Sequence, residues 1–216
     1  MKKQSIQQHE IQITVDIVVF TVSEQKLKVL LIQRGIPPFK GQYALPGGFV
    51  LANETLDAAA FRELSEETGT ENIYLEQLYT FGDPKRDPRG RVVTVAYYAL
   101  VPTGKSPLLA GTDAASAGLF PVEALPTLAF DHGKIIEYAV NRLRNKLEYT
   151  SVGFELLPKK FTLTTLQMLH EAILGRSLDK RNFRRKILST GLLTASKEME
   201  ITGRKPARLY AFRNTK

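Results

Sequence analysis

One short segment constrains the fold of this chain more than any other: a glycine-rich turn followed by an acidic helix. Residues 55–68 place apolar side chains at helical spacing, and Gly69 follows as a C-terminal stop. Glu63, Glu66 and Glu67 stand at positions i, i+3 and i+4 of this helix, so their carboxylates share one face. Like charges at this spacing destabilise a helix, whereas a hard divalent cation turns the repulsion into binding. The alternative interpretation is a solvated acidic face.

The spacing of fixed residues around this helix resembles the signature of the Nudix hydrolases. That signature is a glycine, five residues, a glutamate, seven residues, and then Arg-Glu-aliphatic-x-Glu-Glu-x-Gly-aliphatic. The matching positions are Gly48, Glu54, Arg62, Glu63, Leu64, Glu66, Glu67 and Gly69. The one departure is Thr70, where the family has an aliphatic residue. The resemblance implies an α/β/α sandwich with a mixed sheet, which hydrolyses a nucleoside diphosphate linked to another group.

The same resemblance implies a metal site with Mg²⁺ or Mn²⁺ as the cofactor. Gly48, through its carbonyl, and Glu63, Glu66 and Glu67 would hold the ions, and Arg62, paired with Glu54, would orient the carboxylates. The predicted catalytic residues are therefore Arg62, Glu63, Glu66 and Glu67. The metal would screen the charge of the diphosphate and activate a water molecule. The identity of the general base stays open, because it differs between members of the family.

The polar segment 81–91, FGDPKRDPRGR, is the predicted ligand-binding loop. Arginine side chains there can reach phosphate or ribose, and an aromatic ring can stack on a base. The candidate substrate-binding residues are Arg34, Phe81, Arg86 and Arg89. The alternative is a polar hairpin loop with Phe81 in the core. Pro84 lies near the place where ADP-ribose-hydrolysing members often carry a proline, which favours ADP-ribose as the ligand.

The charge of the chain is divided unevenly along its length. Residues 1–150 contain 16 Lys and Arg against 17 Asp and Glu, whereas residues 151–216 contain 14 against 5. The net charge of +8 is thus carried entirely by the last 66 residues. We predict an electroneutral domain over residues 1–150 and a basic module over residues 151–216 that binds a polyanion. A basic surface that only serves solubility is the alternative.

The basic module has the pattern of a winged helix-turn-helix: a helix ended by Gly175, a turn, a second helix and a β-hairpin. Asp179 is a suitable N-cap for the second helix, residues 180–189, in which Phe183, Ile187 and Leu188 are expected to pack inward. The predicted contacts to double-stranded DNA are Lys180, Arg181, Asn182, Arg184, Arg185 and Lys186, with Arg204 and Lys205 in the hairpin loop. A winged helix that binds protein is the alternative.

Both halves together resemble the Nudix-related transcriptional regulators of the NrtR type and their arabinose-responsive relatives. This resemblance covers nearly the whole chain, including the junction LAFDH at residues 128–132. It implies a homodimer whose Nudix-like domain binds an effector, often ADP-ribose, and whose winged helix binds operator DNA. The carboxylate motif of those regulators is commonly degraded, but here it is complete, which favours retained hydrolysis.

Two functions therefore stay open at the level of sequence. The first is a metal-dependent hydrolase that cleaves ADP-ribose, or a related nucleoside diphosphate sugar, to AMP and a sugar phosphate. The second is a transcriptional regulator of NAD or sugar metabolism that senses this ligand.

Composition excludes several other classes of protein. There is no cysteine, which excludes disulfides, thiolate metal sites and cysteine nucleophiles. The three histidines, His9, His132 and His170, are too far apart in sequence to suggest a zinc site. No apolar run approaches the length of about 20 residues that a membrane-spanning helix needs, and the first ten residues are polar. We expect a cytoplasmic protein without a membrane partner.

Overall fold

The computed structural model describes residues 10–69, 73–102, 114–149, 151–201 and 206–213. A mixed sheet and two helices form the first part of the molecule. The strands are β1 (Gln12–Ser23), β2 (Lys26–Arg34), β3 (Tyr43–Ala44), β4 (Gly47–Phe49), β5 (Tyr74–Phe81), β6 (Val92–Leu100) and β7 (Ala114–Pro121). The helices are α1 (Leu56–Thr68) and α2 (His132–Tyr149). None of the helices in the described ranges is long and apolar enough to cross a bilayer.

The sheet has the order β3-β2-β1-β6-β5, with β4 paired to β1 and β7 paired to β2. β1 and β6 run parallel, and the other pairs are antiparallel. β1 is apolar on both faces because each face is covered by a helix. Val15, Ile17 and Val19 pack towards α1, whereas Val18 and Phe20 pack towards α2. These layers confirm the predicted α/β/α sandwich with a mixed sheet.

α1 begins and ends where the sequence predicts. Thr55 caps its start, because the Thr55 hydroxyl accepts a hydrogen bond from the Ala58 amide at 3.1 Å. Gly69 ends the helix in the left-handed conformation, with φ of 63°. Ala59, Ala60 and Leu64 are buried against the sheet, so the opposite side of the helix is available to polar side chains.

The second part of the molecule is a small winged helix. A 3-10 helix (Val152–Leu156) leads to β8 (Phe161–Thr162), α3 (Leu163–Leu174), α4 (Lys180–Ser189), β9 (Leu193–Ile201) and β10 (Pro206–Phe212). The three strands form a separate antiparallel sheet in the order β8-β10-β9. The sequence indicates hairpin strands over residues 192–195 and 208–212, but the observed strands are longer, since backbone pairing continues along β9 to Ile201.

β7 also begins earlier than the sequence indicates. The sequence indicates only a short strand at residues 119–121, but the backbone of β7 pairs with β2 from Ala114 onwards. Residues 114–118 are small, with a weak intrinsic preference for strands, so the antiparallel partner rather than local sequence determines this strand.

The two parts share one apolar core. Leu166, Leu169 and Ile173 of α3 belong to the same buried cluster as Leu143 of α2. Arg144 of α2 reinforces this contact, because its Nε donates to the backbone oxygen of Ile173 at 2.8 Å. The predicted division at residue 150 therefore falls in a connector across which side-chain packing is continuous, and the division itself stays a prediction.

Candidate functional site

The acidic helix is organised by one arginine. Arg62 Nη2 lies 2.7 Å from Glu54 Oε1, and Arg62 Nη1 lies 2.6 Å from Glu63 Oε1 and 3.7 Å from Glu66 Oε1. Glu54 is itself held by the backbone amide of Leu51, at 2.7 Å. The expected pairing of Arg62 with Glu54 is confirmed. One planar cation thus fixes the relative positions of three carboxylates.

The side chains of Glu63 and Glu54 are each 13% exposed, whereas that of Glu66 is 56% exposed. Burial raises the pKa of the Glu63 carboxyl, and the hydrogen bond from Arg62 offsets only part of this effect. The backbone of Gly48 lies directly against Glu63, and a Cβ atom at Gly48 would collide with Glu63 Oε1. A side chain at this position would therefore displace the Glu63 carboxylate from its place beside the main chain.

These residues line a cavity of about 270 Å³. Glu63, Glu66 and Glu67 form one wall together with Gly48, so carboxylate oxygens and a peptide group face the same space. This is an oxygen-rich set of the kind that Mg²⁺ and Mn²⁺ prefer, and its chemistry fits the predicted ion. Among the described residues, no three acidic or histidine side chains already converge as metal ligands. Metal binding at this wall therefore requires some of these side chains to rotate towards one point.

Two arginines, Arg34 and Arg89, line the same cavity. Arg34 Nε donates to the Pro38 oxygen at 2.7 Å, and its guanidinium lies 4.9 Å from the ring centroid of Phe130. Arg89 lies 5.5 Å from the same ring and 5.3 Å from that of Phe49. Burial and the nearby charge of Arg89 lower the pKa of Arg34. Two cations held close together on one wall favour an anionic ligand.

Arg89 is positioned by a buried carboxylate. Its Nη2 donates to Asp87 Oδ2 at 2.7 Å, and the Asp87 side chain is only 2% exposed. Burial alone would raise the pKa of Asp87, but the hydrogen bonds from Arg89 outweigh it and hold that pKa below its usual value. Arg89 is thus a rigidly held cation whose free edge borders the cavity.

Arg86 has a different role from the one predicted for it. Its side chain is 3% exposed, and Nη2 lies 2.9 Å from Asp131 Oδ1 and 3.1 Å from Asp16 Oδ2. His132 completes this cluster, because its Nε2 lies 3.5 Å from Asp16 Oδ1. Its Nδ1 accepts a hydrogen bond from the Leu45 amide at 2.8 Å. Arg86 borders the cavity, yet its charge is neutralised by two buried carboxylates. It therefore joins the loop after β5 to β1 and to the start of α2.

Phe81 lies outside this cavity, which corrects the prediction that it stacks on a ligand. Its ring packs edge-on against Tyr79 and Tyr138, at centroid distances of 5.5 and 5.9 Å. The alternative interpretation, with Phe81 in apolar packing, matches its position. The aromatic ring that faces the two arginines is instead Phe130, which has a positive φ of 54°.

Four further cavity residues were missed at the level of sequence: Asp16, Asp87, Phe130 and His132. The sequence does contain a signal for Asp16, because it is the one charged residue within the apolar strand segment ITVDIVVF. A carboxylate in such a strand is buried only with a partner, and this predicts a polar site.

The winged helix presents a separate basic surface on α4. Asp179 caps this helix by accepting from the Asn182 amide at 2.8 Å, as predicted. Phe183 and Ile187 are half-buried against the core. The exposed side chains of the predicted DNA contacts are those of Lys180, Arg181, Asn182, Arg185 and Lys186.

Two residues of α4 do not point where the sequence predicts. Arg184 is half-buried and turned towards α3, where its Nη2 lies 3.2 Å from Thr164 Oγ1. Leu188, expected to pack inward, is 48% exposed, because it lies about 100° around the helix from Ile187 and α3 covers only one narrow side. Arg204 and Lys205 lie outside the described residues.

Comparison with known families divides the chain in the same way as its architecture. A family model described as the NUDIX domain matches residues 11–139. A second, described as the NrtR DNA-binding winged helix domain, matches residues 153–212.

Two curated relatives are similar to this chain. The ADPR responsive transcriptional repressor NtrR of Acinetobacter baylyi is 42% identical over 202 residues, covering 92% of this chain and 81% of the relative. The ADP-ribose pyrophosphatase of Methanocaldococcus jannaschii is 41% identical over 137 residues, covering 63% of this chain and 80% of the relative.

Solved structures give the same picture. Shewanella oneidensis NrtR complexed with a 27mer DNA has a TM-score of 0.82 at 38% identity, over 93% of each chain. The NUDIX domain of the same protein complexed with ADP ribose has a TM-score of 0.58 at 38% identity, covering 65% of this chain and 94% of that one.

Proposed function

Because this chain belongs to the Nudix family, and within it to the NrtR-type proteins with a C-terminal winged helix, we propose that it is an ADP-ribose-responsive DNA-binding regulator that also hydrolyses its ligand. The observation that carries the proposal is the cavity itself, where a complete set of carboxylates faces two arginines and an aromatic ring. A regulator that cleaves its effector would limit the duration of its own signal.

Ligand binding is proposed to use both the positive and the negative side chains that line the cavity. The diphosphate of ADP-ribose would lie between the arginine wall, formed by Arg34 and Arg89, and the carboxylate wall of α1. The ring of Phe130, already flanked by both guanidinium groups, offers a surface on which a base can stack. Relief of the repulsion between the two arginines would favour an anionic ligand.

Hydrolysis is proposed to depend on the carboxylates that Arg62 holds in place. Gly48, through its carbonyl, and Glu63, Glu66 and Glu67 would hold Mg²⁺ or Mn²⁺, which supplies charge screening and water activation when bound. Arg62 keeps Glu54 and Glu63 at fixed distances, which would limit the rearrangement that the carboxylates need before they bind the ion together. A carboxylate of this group would accept the proton from the attacking water. The products would be AMP and a sugar phosphate.

DNA binding is proposed for the exposed basic side of α4. Lys180, Arg181, Arg185 and Lys186 would contact phosphates, and Asn182 would reach a base edge in the major groove. Arg184 would set the position of α4 on α3, and Arg204 and Lys205 would contact the backbone. We further propose a cytoplasmic homodimer, because a two-fold axis would present two such helices to two half-sites.

The hydrolase part is tested by following AMP release from ADP-ribose with Mg²⁺ and then with Mn²⁺. Glu67→Gln should abolish turnover, whereas Glu137→Gln, on the exposed side of α2, should leave it intact. If the wild-type chain binds ADP-ribose without cleaving it, the protein is a sensor alone. If neither binding nor turnover occurs, the ligand assignment is wrong.

The regulator part is tested with a pool of random duplexes from which tight binders are selected. Binding should weaken steeply with salt and change when ADP-ribose is added. Absence of salt-sensitive binding to any duplex would reject the DNA-binding function, and the hydrolase would then stand alone.

A further inference from the structure

Thr14 of β1 lies at the wall of the cavity with an unused polar group. The residue is only 7% exposed, and its backbone oxygen accepts a hydrogen bond from the Thr94 hydroxyl at 3.2 Å. Its own Oγ1 is buried and has no hydrogen-bond partner among the described residues. Thr14 nevertheless borders the cavity that holds the α1 carboxylates.

An unpartnered hydroxyl in this position is costly. A buried hydroxyl without a hydrogen bond destabilises the folded protein relative to one that is satisfied. Valine has nearly the same shape, suits a strand equally well and carries no hydroxyl to satisfy. The folded protein alone therefore gives no reason for threonine rather than valine at this position.

The surroundings of Thr14 indicate what would satisfy the hydroxyl. In the β1–β4 ladder Thr14 is paired with Phe49, next to the pairing of Val15 with Gly48, so it lies beside the turn that meets Glu63. Two residues along β1, Asp16 is held by Arg86. Thr14 thus lines the same cavity as the carboxylates of α1 and the buried Arg86–Asp16 pair, where a bound diphosphate would lie.

We propose that the Thr14 hydroxyl donates a hydrogen bond to a phosphoryl oxygen of the nucleoside diphosphate ligand. Rotation about the Cα–Cβ bond exchanges the hydroxyl with the methyl group and turns it into the cavity, within the staggered positions open to threonine. The contact forms only in the complex, so the hydroxyl is satisfied when the ligand is bound and unsatisfied in the free protein. This assignment rests on the proposed function, because it takes the ligand of the cavity to be a nucleoside diphosphate.

The test compares Thr14→Val, which removes the hydroxyl at constant shape, with Thr14→Ser, which keeps it. Thr94→Val is the matched control, since its hydroxyl is also buried in the same strand pair but has a protein partner. The dissociation constants of ADP-ribose and of inorganic pyrophosphate are measured in EDTA, which prevents turnover, and the melting temperature of each variant is measured without ligand.

We expect Thr14→Val to melt at or above the wild-type temperature and to bind both ADP-ribose and pyrophosphate about tenfold more weakly. Thr14→Ser should bind like the wild type. Thr94→Val should melt lower but bind both ligands within about twofold of the wild type. These melting temperatures and dissociation constants together distinguish a hydroxyl that binds the ligand from one that only stabilises the fold.

Unchanged affinity in Thr14→Val would overturn the inference, and so would equal weakening in Thr14→Ser and Thr14→Val. If the wild-type chain binds neither ADP-ribose nor pyrophosphate, the proposed function fails and the Thr14 contact fails with it. If the wild type binds both and Thr14→Val binds equally well, only the Thr14 inference fails.

Discussion

At the scale of single residues, Arg62 determines whether the carboxylates of α1 can act together. Its guanidinium contacts Glu54 and Glu63 through separate nitrogens and lies within 3.7 Å of Glu66. The hydrogen bonds that Arg62 donates to Glu54 and Glu63 raise the pKa of Arg62, so its charge is permanent. A planar group with several donors is suited to this position, and a single ammonium group is not.

Replacement of Arg62 by lysine tests this role. Arg62→Lys keeps the charge but cannot bind Glu54 and Glu63 at once, so we expect kcat/KM for ADP-ribose to fall about 100-fold. The melting temperature should change little, because the side chain is 30% exposed. The measurement is AMP release with Mn²⁺. Arg142→Lys on α2 is the control, and wild-type turnover in Arg62→Lys would contradict the positioning role.

The burial of His132 leads to a prediction about how the stability of the protein depends on pH. Burial lowers the pKa of His132, so the folded state favours the neutral ring, whose Nδ1 accepts the Leu45 amide. An unfolded histidine titrates near pH 6.5 and therefore binds a proton first as the pH falls. The stability that His132 contributes is present above about pH 6.5 and is lost as the pH falls from there towards the folded pKa.

We therefore expect the free energy of unfolding, measured with urea between pH 8 and pH 5, to decrease towards acid. Burial also lowers the pKa of His170, so both histidines contribute to the slope. His132→Asn, whose side-chain oxygen can still accept the Leu45 amide, should flatten the slope without removing it. A variant with the full wild-type slope would show that His132 does not control this dependence.

Residues close in sequence were easier to predict than those joined only by the fold. The stop at Gly69 follows from helical spacing within a single segment, and the pairing of Arg62 with Glu54 follows from the resemblance of that segment to the Nudix signature. The Arg86–Asp16 pair spans 70 positions, and nothing in the loop reveals that its arginine is directed inward rather than at a ligand. Phe81 failed as a candidate for the same reason, since strand periodicity does not identify which face meets α2.

At the scale of elements, α4 combines an apolar side with an unusually dense basic side. Phe183 and Ile187 pack towards the core, while Arg181 and Arg185 remain exposed. Arg185 Nη2 also donates to Asn182 Oδ1 at 2.8 Å, so the proposed base-reading amide is oriented before DNA arrives. The helical period correctly predicted which side chains of α4 are buried and which are exposed, except at Leu188 and Arg184. Those two depend on how much of α4 is covered by α3, which the sequence of α4 does not show.

The exposed charges of α4 should act as phosphate contacts. Replacing Lys180 or Arg181 by glutamine is expected to weaken binding to all duplexes by a similar factor and to reduce the slope of log K against log salt by about 1. The measurement is fluorescence anisotropy across a salt series. Lys134→Gln, an exposed lysine of α2 outside the winged helix, is the control. An unchanged salt slope in both α4 variants would place the DNA contacts elsewhere.

At the scale of the whole molecule, the ligand cavity and the DNA-binding part are connected by one element. α2 starts at His132 and its neighbour Asp131, which is bound by Arg86 at the cavity. Its far end packs on α3, where Arg144 holds the Ile173 oxygen. Because Leu143 and Leu166 belong to one buried cluster, a change in the position of α2 is transmitted to α3 through close packing rather than through a flexible linker.

A shared core predicts that the two parts unfold together. Leu166 of α3 is completely buried, so Leu166→Ala should cost about 2–5 kcal/mol and lower the melting temperature by roughly 5–15 °C. Scanning calorimetry should show one shifted transition, because the cavity opened by this substitution lies in the core of both parts. Met168→Ala, at an exposed position of the same helix, should leave the melting temperature nearly unchanged. Two transitions, with the first part melting at its wild-type temperature, would show that the winged helix folds independently and that α2 does not couple it to the cavity.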